Sequence, residues 1–395
     1  MICVETDHFS INRILLLVVG LWPYQRSKLV RLQTIIIFAI LMSFLIFQTT
    51  VFLTAEFTSD LFINVLTTAL LFCTFSVNFL SFWFNIRTIK CLLEKLQKIC
   101  NELKDENEIA IIKRYGYQAK RITASIILIC VFIEVGLLGH LIWPRFLGIF
   151  LFLNESWPRR KTFILTEYFV DQEKYSNLIW LHMNTAICIG AFAAFATGTL
   201  LLVFLKYACG MFSIASYRIE QAITNKKREN DDLKDQNVIF KKIIYAVDIH
   251  RNAMQYSDFL ISSFEGTFFL LITFGVVCLS LNLFRTFQLA LSGSDKFELL
   301  SRFVCTVFIL LYMFLANAIG QEITDHNDQV YFTAYKVIWY TTPLHVQKLI
   351  LFLIQRGNKT FGLNVGGLFV ASLECFATLI SASLSYFTVM YSTQQ

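Results

Sequence analysis

Residues 362–395 read GLNVGGLFVASLECFATLISASLSYFTVMYSTQQ, and from Gly362 to Tyr391 they carry a single charge, Glu374. A run so long and so little charged is able to cross a bilayer as a helix. Within it Thr378, Ser381, Ser385, Thr388 and Ser392 recur at spacings of 3, 4, 3 and 4. At 3.6 residues per turn they share an arc of roughly 80°. Phe376, Phe387, Met390 and Tyr391 fall off that arc. A hydroxyl face at membrane depth has two readings. It lines a wet path, or its small side chains let helices pack closely while the hydroxyls bond back to their own helix.

The whole chain of 395 residues is 56% hydrophobic and 16% charged, which sets it apart from soluble domains and among membrane proteins. Besides residues 363–391, six stretches qualify as spans, near 34–54, 61–86, 122–143, 184–205, 260–284 and 300–322. The expected fold is therefore an all-α membrane protein with seven transmembrane helices. The apolar run Ile14–Leu21 is too short to cross, ends in Trp22-Pro23 and lacks a small-residue cleavage site. It reads as a short interfacial helix dipping into the inner face, not as a signal peptide.

Lysine and arginine set the orientation. Segments 1–33, 87–121, 206–259 and 323–362 hold 26 basic residues, and the remainder of the chain holds 8. The basic side is cytoplasmic by the positive-inside rule, so an odd number of spans puts the N-terminus in the cytoplasm and the C-terminus outside. The net charge of +6 is then mostly an inner-face property whose natural partner is anionic membrane lipid, with no reason to invoke nucleic acid. The chain divides into a cytoplasmic N-terminus (1–33), a six-span bundle with inner helix extensions (34–322), a cytoplasmic amphipathic stretch broken at Pro343 (323–362) and a last helix (363–395). None of the ten cysteines falls in an outer segment and no pair has zinc-ligand spacing, so no external disulfide framework is expected. The sequon at Asn154 is expected outside and glycosylated, and the one at Asn358 inside and unmodified.

Several side chains stand out within the spans. The second is aromatic throughout, with Phe72, Phe75, Phe79 and Phe82, and the fourth runs through small residues from Gly190 to Gly198, a composition that permits close helix contact. The third carries Glu134, Gly136, Gly139, His140 and Trp143-Pro144. A carboxylate there costs on the order of 3 kcal/mol. Glu134 is therefore expected to face the bundle, a wet cavity or a partner, as a protonated or Ser/Thr-bonded carboxyl ahead of any ligand role. The two glycines leave room for a small guest, although Trp143 also fits an ordinary interfacial aromatic. The sixth span brings Phe308, Tyr312, Asn317 and Gly320 to one side. No hydrolase, metalloprotease, nucleotide or dinucleotide motif occurs, and the six histidines are scattered. The chain reads as a non-enzyme that needs no cofactor.

Asn12-Arg13-Ile14-Leu15-Leu16 with Gly20-Leu21-Trp22-Pro23, the segment Tyr335–Trp339 and Ser385-Tyr386-Phe387-Thr388 together resemble insect odorant receptors, nearly end to end. Leu153-Asn154-Glu155-Ser156-Trp157-Pro158-Arg159 is similar to the outer loop of members from ants, bees and wasps. The resemblance implies a subunit of an odorant-gated, non-selective cation channel in the plasma membrane of sensory neurons. Such a subunit joins a shared odorant co-receptor in a heterotetramer through a cytoplasmic anchor, and its last helix lines the pore. It implies a gate near the outer end, at Val389, Ser392 and Thr393 beyond Ser385. There the co-receptor has an amide at the Ser392 position and an aliphatic residue at Thr393, which makes a mixed pore asymmetric. It also implies a pocket for a small apolar volatile in the outer half of the bundle. Phe72, Phe75 and Ser76 would contribute from the second span, and Gly136, Gly139, His140 and Trp143 from the third, with Ile187, Phe308 and Tyr312 from later spans. The neighbouring alternatives are a gustatory-type homotetrameric channel and a metabotropic seven-span receptor.

Overall fold

The computed structural model describes residues 9–25, 27–150, 164–172, 174–224, 233–293, 296–357 and 359–394. Side chains at 134, 137–150, 233–236, 297 and 394 are not among them. Among the described residues seven helices are long and apolar enough to span: α2 (Lys28–Thr49, continued by the short α3, Val51–Thr54), α4 (Ser59–Phe84), α6 (Glu106–Phe150), α7 (Ser176–Thr224), α8 (Leu233–Ser292), α9 (Lys296–Lys336) and α11 (Leu373–Gln394). Between them lie α1 (Ser10–Val18), α5 (Ile86–Glu102) and α10 (Leu344–Gly357).

Helix length positions everything else. With 60 residues, α8 reaches about 90 Å at 1.5 Å per residue, three times the hydrocarbon thickness. The surplus of α6, α7, α8 and α9 gathers at the end where most of the lysine and arginine lies, here termed the basic end. There the amphipathic α5 buries Ile89, Leu92, Leu93, Leu96 and Cys100, and α10 buries Val346, Ile350 and Leu353. Ion pairs cross between helices at this end. Arg218 of α7 grips Glu108 of α6 through Nε at 2.6 Å and Nη2 at 2.8 Å, and Lys206 of α7 holds both oxygens of Glu322 of α9 at 2.7 and 2.6 Å.

Helix α7 is the central post, buried almost continuously from Val203 to Ile214. Two glycines let its neighbours approach. The ring of Phe75 on α4 fills the space a side chain at Gly190 would need, and Ile112 on α6 lies 2.8 Å from where a Cβ at Gly210 would sit. Helix α1 docks on this post: Leu16 is fully buried, Phe9 stacks on Tyr207 at 5.5 Å and Asn12 donates to Thr199 Oγ1 at 3.0 Å. Only one side of α1, with Ile14 and Val18, remains for a membrane surface.

Several boundaries differ from those read in the sequence, two of them for local reasons. The first span begins at Lys28, capped by Ser27, whose hydroxyl accepts from the Val30 amide at 3.1 Å. The last helix begins at Leu373, not at 363, because Asn364–Val365 and Phe369–Val370 pair as a small antiparallel hairpin. Gly366 and Gly367 both adopt positive φ, 65° and 68°, at the centre of the turn that the Leu368 amide closes on Val365 O at 3.3 Å. Ser372 then caps α11 by accepting from the Cys375 amide at 3.1 Å, and Asn317 of α9 accepts from the Ser372 amide at 3.3 Å. The stretch after α9 breaks where Pro343 dictates, with a 3-10 turn at Trp339–Thr341 before α10.

Gly320 packs α9 on this junction so tightly that an added Cβ would lie 2.5 Å from the Ala371 carbonyl oxygen, whereas at Gly198 nothing lies within 4 Å. Gly320→Ala is therefore expected to destabilise the chain by about 1–3 kcal/mol, and Gly198→Ala to leave the thermal melt in detergent unchanged. Equal melts for both would contradict this packing.

Candidate functional site

Away from the basic end, α4, α7 and α9 converge in mid-bundle. Phe72, Phe75 and Ser76 of α4 are buried at 0, 6 and 6% exposure. Phe75 covers Gly190, one helical turn from Ile187, which is half-buried against the same core. Phe308 of α9 meets Phe195 of α7 edge-to-face at 5.6 Å, and the Asn78 side chain of α4 hydrogen-bonds the Tyr312 hydroxyl. The structure thus brings Phe72, Phe75 and Ile187 together at the α4–α7 contact, while Phe308 and Tyr312 of α9 meet the same two helices through Phe195 and Asn78. Ser76 lies one residue beyond Phe75, and its Oγ is one of nine buried side-chain atoms with no hydrogen-bond partner among the described residues. A buried hydroxyl left in that state costs about 1–3 kcal/mol relative to a satisfied one.

The third-span candidates stand differently. Gly136 is exposed on α6, and no atom lies within 4 Å of where its Cβ would be. It follows Leu128, Phe132 and Val135 along an exposed face, so it is not joined to the α4–α7–α9 cluster. The backbone of Gly139, His140 and Trp143 continues α6, but their side chains, like that of Glu134, lie outside the described residues, as do Asn154 with the loop around it and Asn358. Asn317, read as a buried polar group in need of partners, has them: it donates to Met313 O at 2.9 Å and accepts from Ser372. Tyr312 is less enclosed than expected, at 37% exposure.

A second polar arrangement, unassigned from sequence, closes the far end of α2, α4 and α7. Residues 164–172 strap across α2: the Glu167 amide donates to Phe47 O at 2.8 Å, and Thr50 Oγ1 donates to Glu167 O at 2.7 Å. Tyr168 stacks on Phe47 at 4.3 Å, and Phe44 leans on Phe72 at 4.3 Å. His182 of α7 is held at both nitrogens, Nε2 at 3.0 Å from Ser43 Oγ and Nδ1 at 2.7 Å from the Tyr168 hydroxyl. Ser43 already donates to Ile40 O at 3.0 Å, so it accepts from His182 Nε2–H, and the Tyr168 hydroxyl donates to Nδ1. Burial pushes the Tyr168 hydroxyl up to about 12, which keeps it a donor at any physiological pH. His182 is a satisfied structural histidine whose partners are a strap residue and a distant helix, and no local spacing signals that.

Helix α11 contributes another surface. Its buried side carries Leu379 and Ser383, the latter facing α8 with Oγ 3.4 Å from Val276 O. The opposite side presents Thr378, Ser381, Ser385, Thr388, Ser392 and Thr393, all exposed, and Val389 at 59%.

These features define a multi-pass seven-helix membrane protein with long helical extensions at one end and an outlying last span. The family model described as "7tm Odorant receptor" matches residues 58–384, and the chain belongs to that family. Two solved structures of the insect olfactory receptor OR5 from Machilis hrabei share the fold. The one in complex with eugenol aligns with a TM-score of 0.77 at 16% identity over 97% of both chains. The other aligns with a TM-score of 0.75 at 16% identity over 98% of this chain and 99% of that one.

Tyr168→Phe is expected to weaken the strap by about 1 kcal/mol through loss of its bond to His182 and to raise proteolytic nicking within 164–175. Lys174→Ala, a change at an exposed side chain, should leave nicking unaltered. Equal nicking in both variants would show that the Tyr168 bond does not hold the strap.

Proposed function

We propose that this chain is the odorant-binding subunit of a ligand-gated, non-selective cation channel in the plasma membrane of sensory neurons, working in a heterotetramer with an odorant co-receptor. The observation that carries this reading is the outward face of α11. Only 11% of that span is buried within the chain, against 61% of α4, and the hydroxyl stripe runs along the exposed side between Leu384 and Tyr386. A row of hydroxyls is poorly matched to lipid tails and well matched to water between subunits arranged about an axis. The two readings of the stripe also meet here. Thr378 donates to Glu374 O, Ser385 to Ser381 O, Thr388 to Ser385 O and Ser392 to Val389 O, at 2.8–3.0 Å. The hydroxyl protons are thus used by the helix itself, and the oxygen lone pairs face outward, the polarity that favours permeating cations. Val389, apolar and exposed among them, narrows the closed pore by dewetting, with Ser385, Ser392 and Thr393 easing passage when it is open.

The ligand enters the α4–α7–α9 cluster, where Phe72, Phe75, Ile187, Phe308 and Tyr312 offer apolar area. The resemblance adds Gly139, His140 and Trp143 of the third span as further ligand residues, whereas exposed Gly136 stands apart from this cluster. The partnerless hydroxyl of Ser76 supports a volatile carrying an oxygen, as does the eugenol held by the OR5 structure. A ligand opens the pore only to the extent that it binds the open arrangement more tightly than the closed one. The basic end is the cytoplasmic side, with the N-terminus inside and the C-terminus outside. Its exposed apolar side chains, Phe332, Tyr335, Tyr340, Leu344 and Phe352, form the anchor to neighbouring subunits.

Membrane current recorded from cells expressing this chain with the co-receptor should respond to oxygenated volatiles, and the chain alone should stay silent. Current from the chain alone would favour a homotetramer, and responses that vanish without nucleotides in excised patches would favour metabotropic signalling. Ser76→Ala should raise the half-maximal concentration of oxygenated odorants about tenfold, one hydrogen bond's worth, and leave hydrocarbon odorants unaffected. Val389→Ala should raise basal current. A Ser76→Ala channel with unchanged selectivity would remove Ser76 from the site.

A further inference from the structure

At the basic end, α7 and α9 bring together a thiol, an imidazole and a carboxylate that neither the ligand cluster nor the pore face uses. Cys209, Glu322 and His326 each offer one ligand atom, and the three atoms lie within 4.8 Å of one another. Cys209 is fully buried and is a free thiol. Glu322 and His326 stand four residues apart, on one face of α9. Zinc holds sulfur at about 2.3 Å and nitrogen or oxygen at about 2.0–2.2 Å. Its ligand atoms therefore lie about 3.3–3.8 Å from one another, and the observed spread closes by side-chain adjustments of about 1 Å.

The histidine is already in the ligating form. Its Nδ1 lies 2.8 Å from the main-chain oxygen of Glu322, an atom that only accepts, so Nδ1 carries the proton and Nε2 presents a lone pair. A ligating histidine is ordinarily fixed in this way, by its second nitrogen donating to a carbonyl. The occupant of that lone pair is the Tyr115 hydroxyl at 2.6 Å, which also lies 2.7 Å from Ser213 Oγ. Tyr115 is able to give up His326 while keeping Ser213. Lys206 is the competitor, since its ammonium sits on both oxygens of Glu322. A carboxylate has about four lone-pair sites, which leaves room for a metal beside it.

We propose that Cys209, Glu322 and His326 form a binding site for a zinc-class divalent transition ion, with water or Tyr115 in the fourth position. Thiolate with imidazole and carboxylate is a zinc donor set. The cation binds as the Cys209 thiol gives up its proton to solvent, one proton per ion, so affinity rises with pH. The site ties α7 to α9 two residues beyond Gly320, where α9 abuts the start of α11. An ion there restrains the helix that carries the pore helix. That regulatory consequence rests on the channel reading above, whereas binding itself does not.

The test uses the full chain purified in detergent and titrated with cobalt(II), whose thiolate bond gives a near-ultraviolet charge-transfer band. The expected result is about one cobalt per chain with that band, lost in Cys209→Ser and in His326→Ala, each with its metal-free melt recorded alongside. Lys206→Met, which removes the competing charge, should bind cobalt about tenfold more tightly. No band in the unaltered chain, a band that survives both substitutions, or weaker binding by Lys206→Met would overturn the site. The Lys206→Met result decides the matter even where a ligand substitution fails to fold. Zinc altering current only in channels that show the cobalt band would support regulation, and cobalt binding by a chain that carries no current even together with the co-receptor would contradict the channel reading alone.

Discussion

At Gly190 the ring of Phe75 occupies the space where any larger side chain would begin, and the architecture depends on closeness of this kind. Inside a bilayer, apolar area no longer drives helices together, because lipid tails are as apolar as leucine. Association rests on how near the backbones come and on which polar groups they satisfy. Helix α7 meets that condition along its length, with Gly190 toward α4, buried Ala193 and Ala196, and Gly210 toward α6. At the basic end the same helix passes into a conventional core, with Phe204, Tyr207, Met211 and Phe212 fully buried, and takes its specificity from the pairs Arg218–Glu108 and Lys206–Glu322.

Polar groups at membrane depth sort into three states, and the sorting separates structure from function. Most are satisfied by their own helix or its neighbour: Asn282 donates to Cys278 O, Thr197 to Ala193 O, and Ser81 meets Thr267 at 2.6 Å. A second set is satisfied and still exposed, as in the hydroxyl stripe of α11, where the cost of burial is absent because the face lies outside the chain. Ser76 belongs to neither set. Its Oγ is buried and, like Gln48 Oε1 and Thr123 Oγ1, finds no hydrogen-bond partner among the described residues. Such a group is stabilised by whatever brings an oxygen or a donor to it.

Much of the architecture is legible in the sequence because the signals are long. Seven apolar runs, the stripe at 3.6-residue period and the break at Pro343 all survive translation into helices. The boundary at Leu373 is missed because hydropathy alone carries the last span back to 363. The signal against it is local and present: Gly366-Gly367 between Asn364-Val365 and Phe369-Val370, followed by a serine cap. Contacts that join distant positions leave no such trace. His182 finds Ser43 from 139 residues away, and Lys206 finds Glu322 from 116 away. Cys209 joins Glu322 and His326 only because α7 and α9 lie side by side, which is why spacing among the cysteines shows no metal ligands. The hydroxyl of Ser76 has the same character: its type is visible in the sequence, and its lack of a partner only in the packed bundle.

The account turns on the direction in which α11 faces. Cysteine placed at Ser385, on the exposed arc, and at Ser383, on the face against α8, provides the most direct measurement when a small cationic thiol reagent is applied to channels opened by ligand. The account predicts that Ser385→Cys is blocked progressively while open and is protected while closed, and that Ser383→Cys is untouched in both states. Block at Ser383→Cys with none at Ser385→Cys would mean that the hydroxyl stripe does not face the pore.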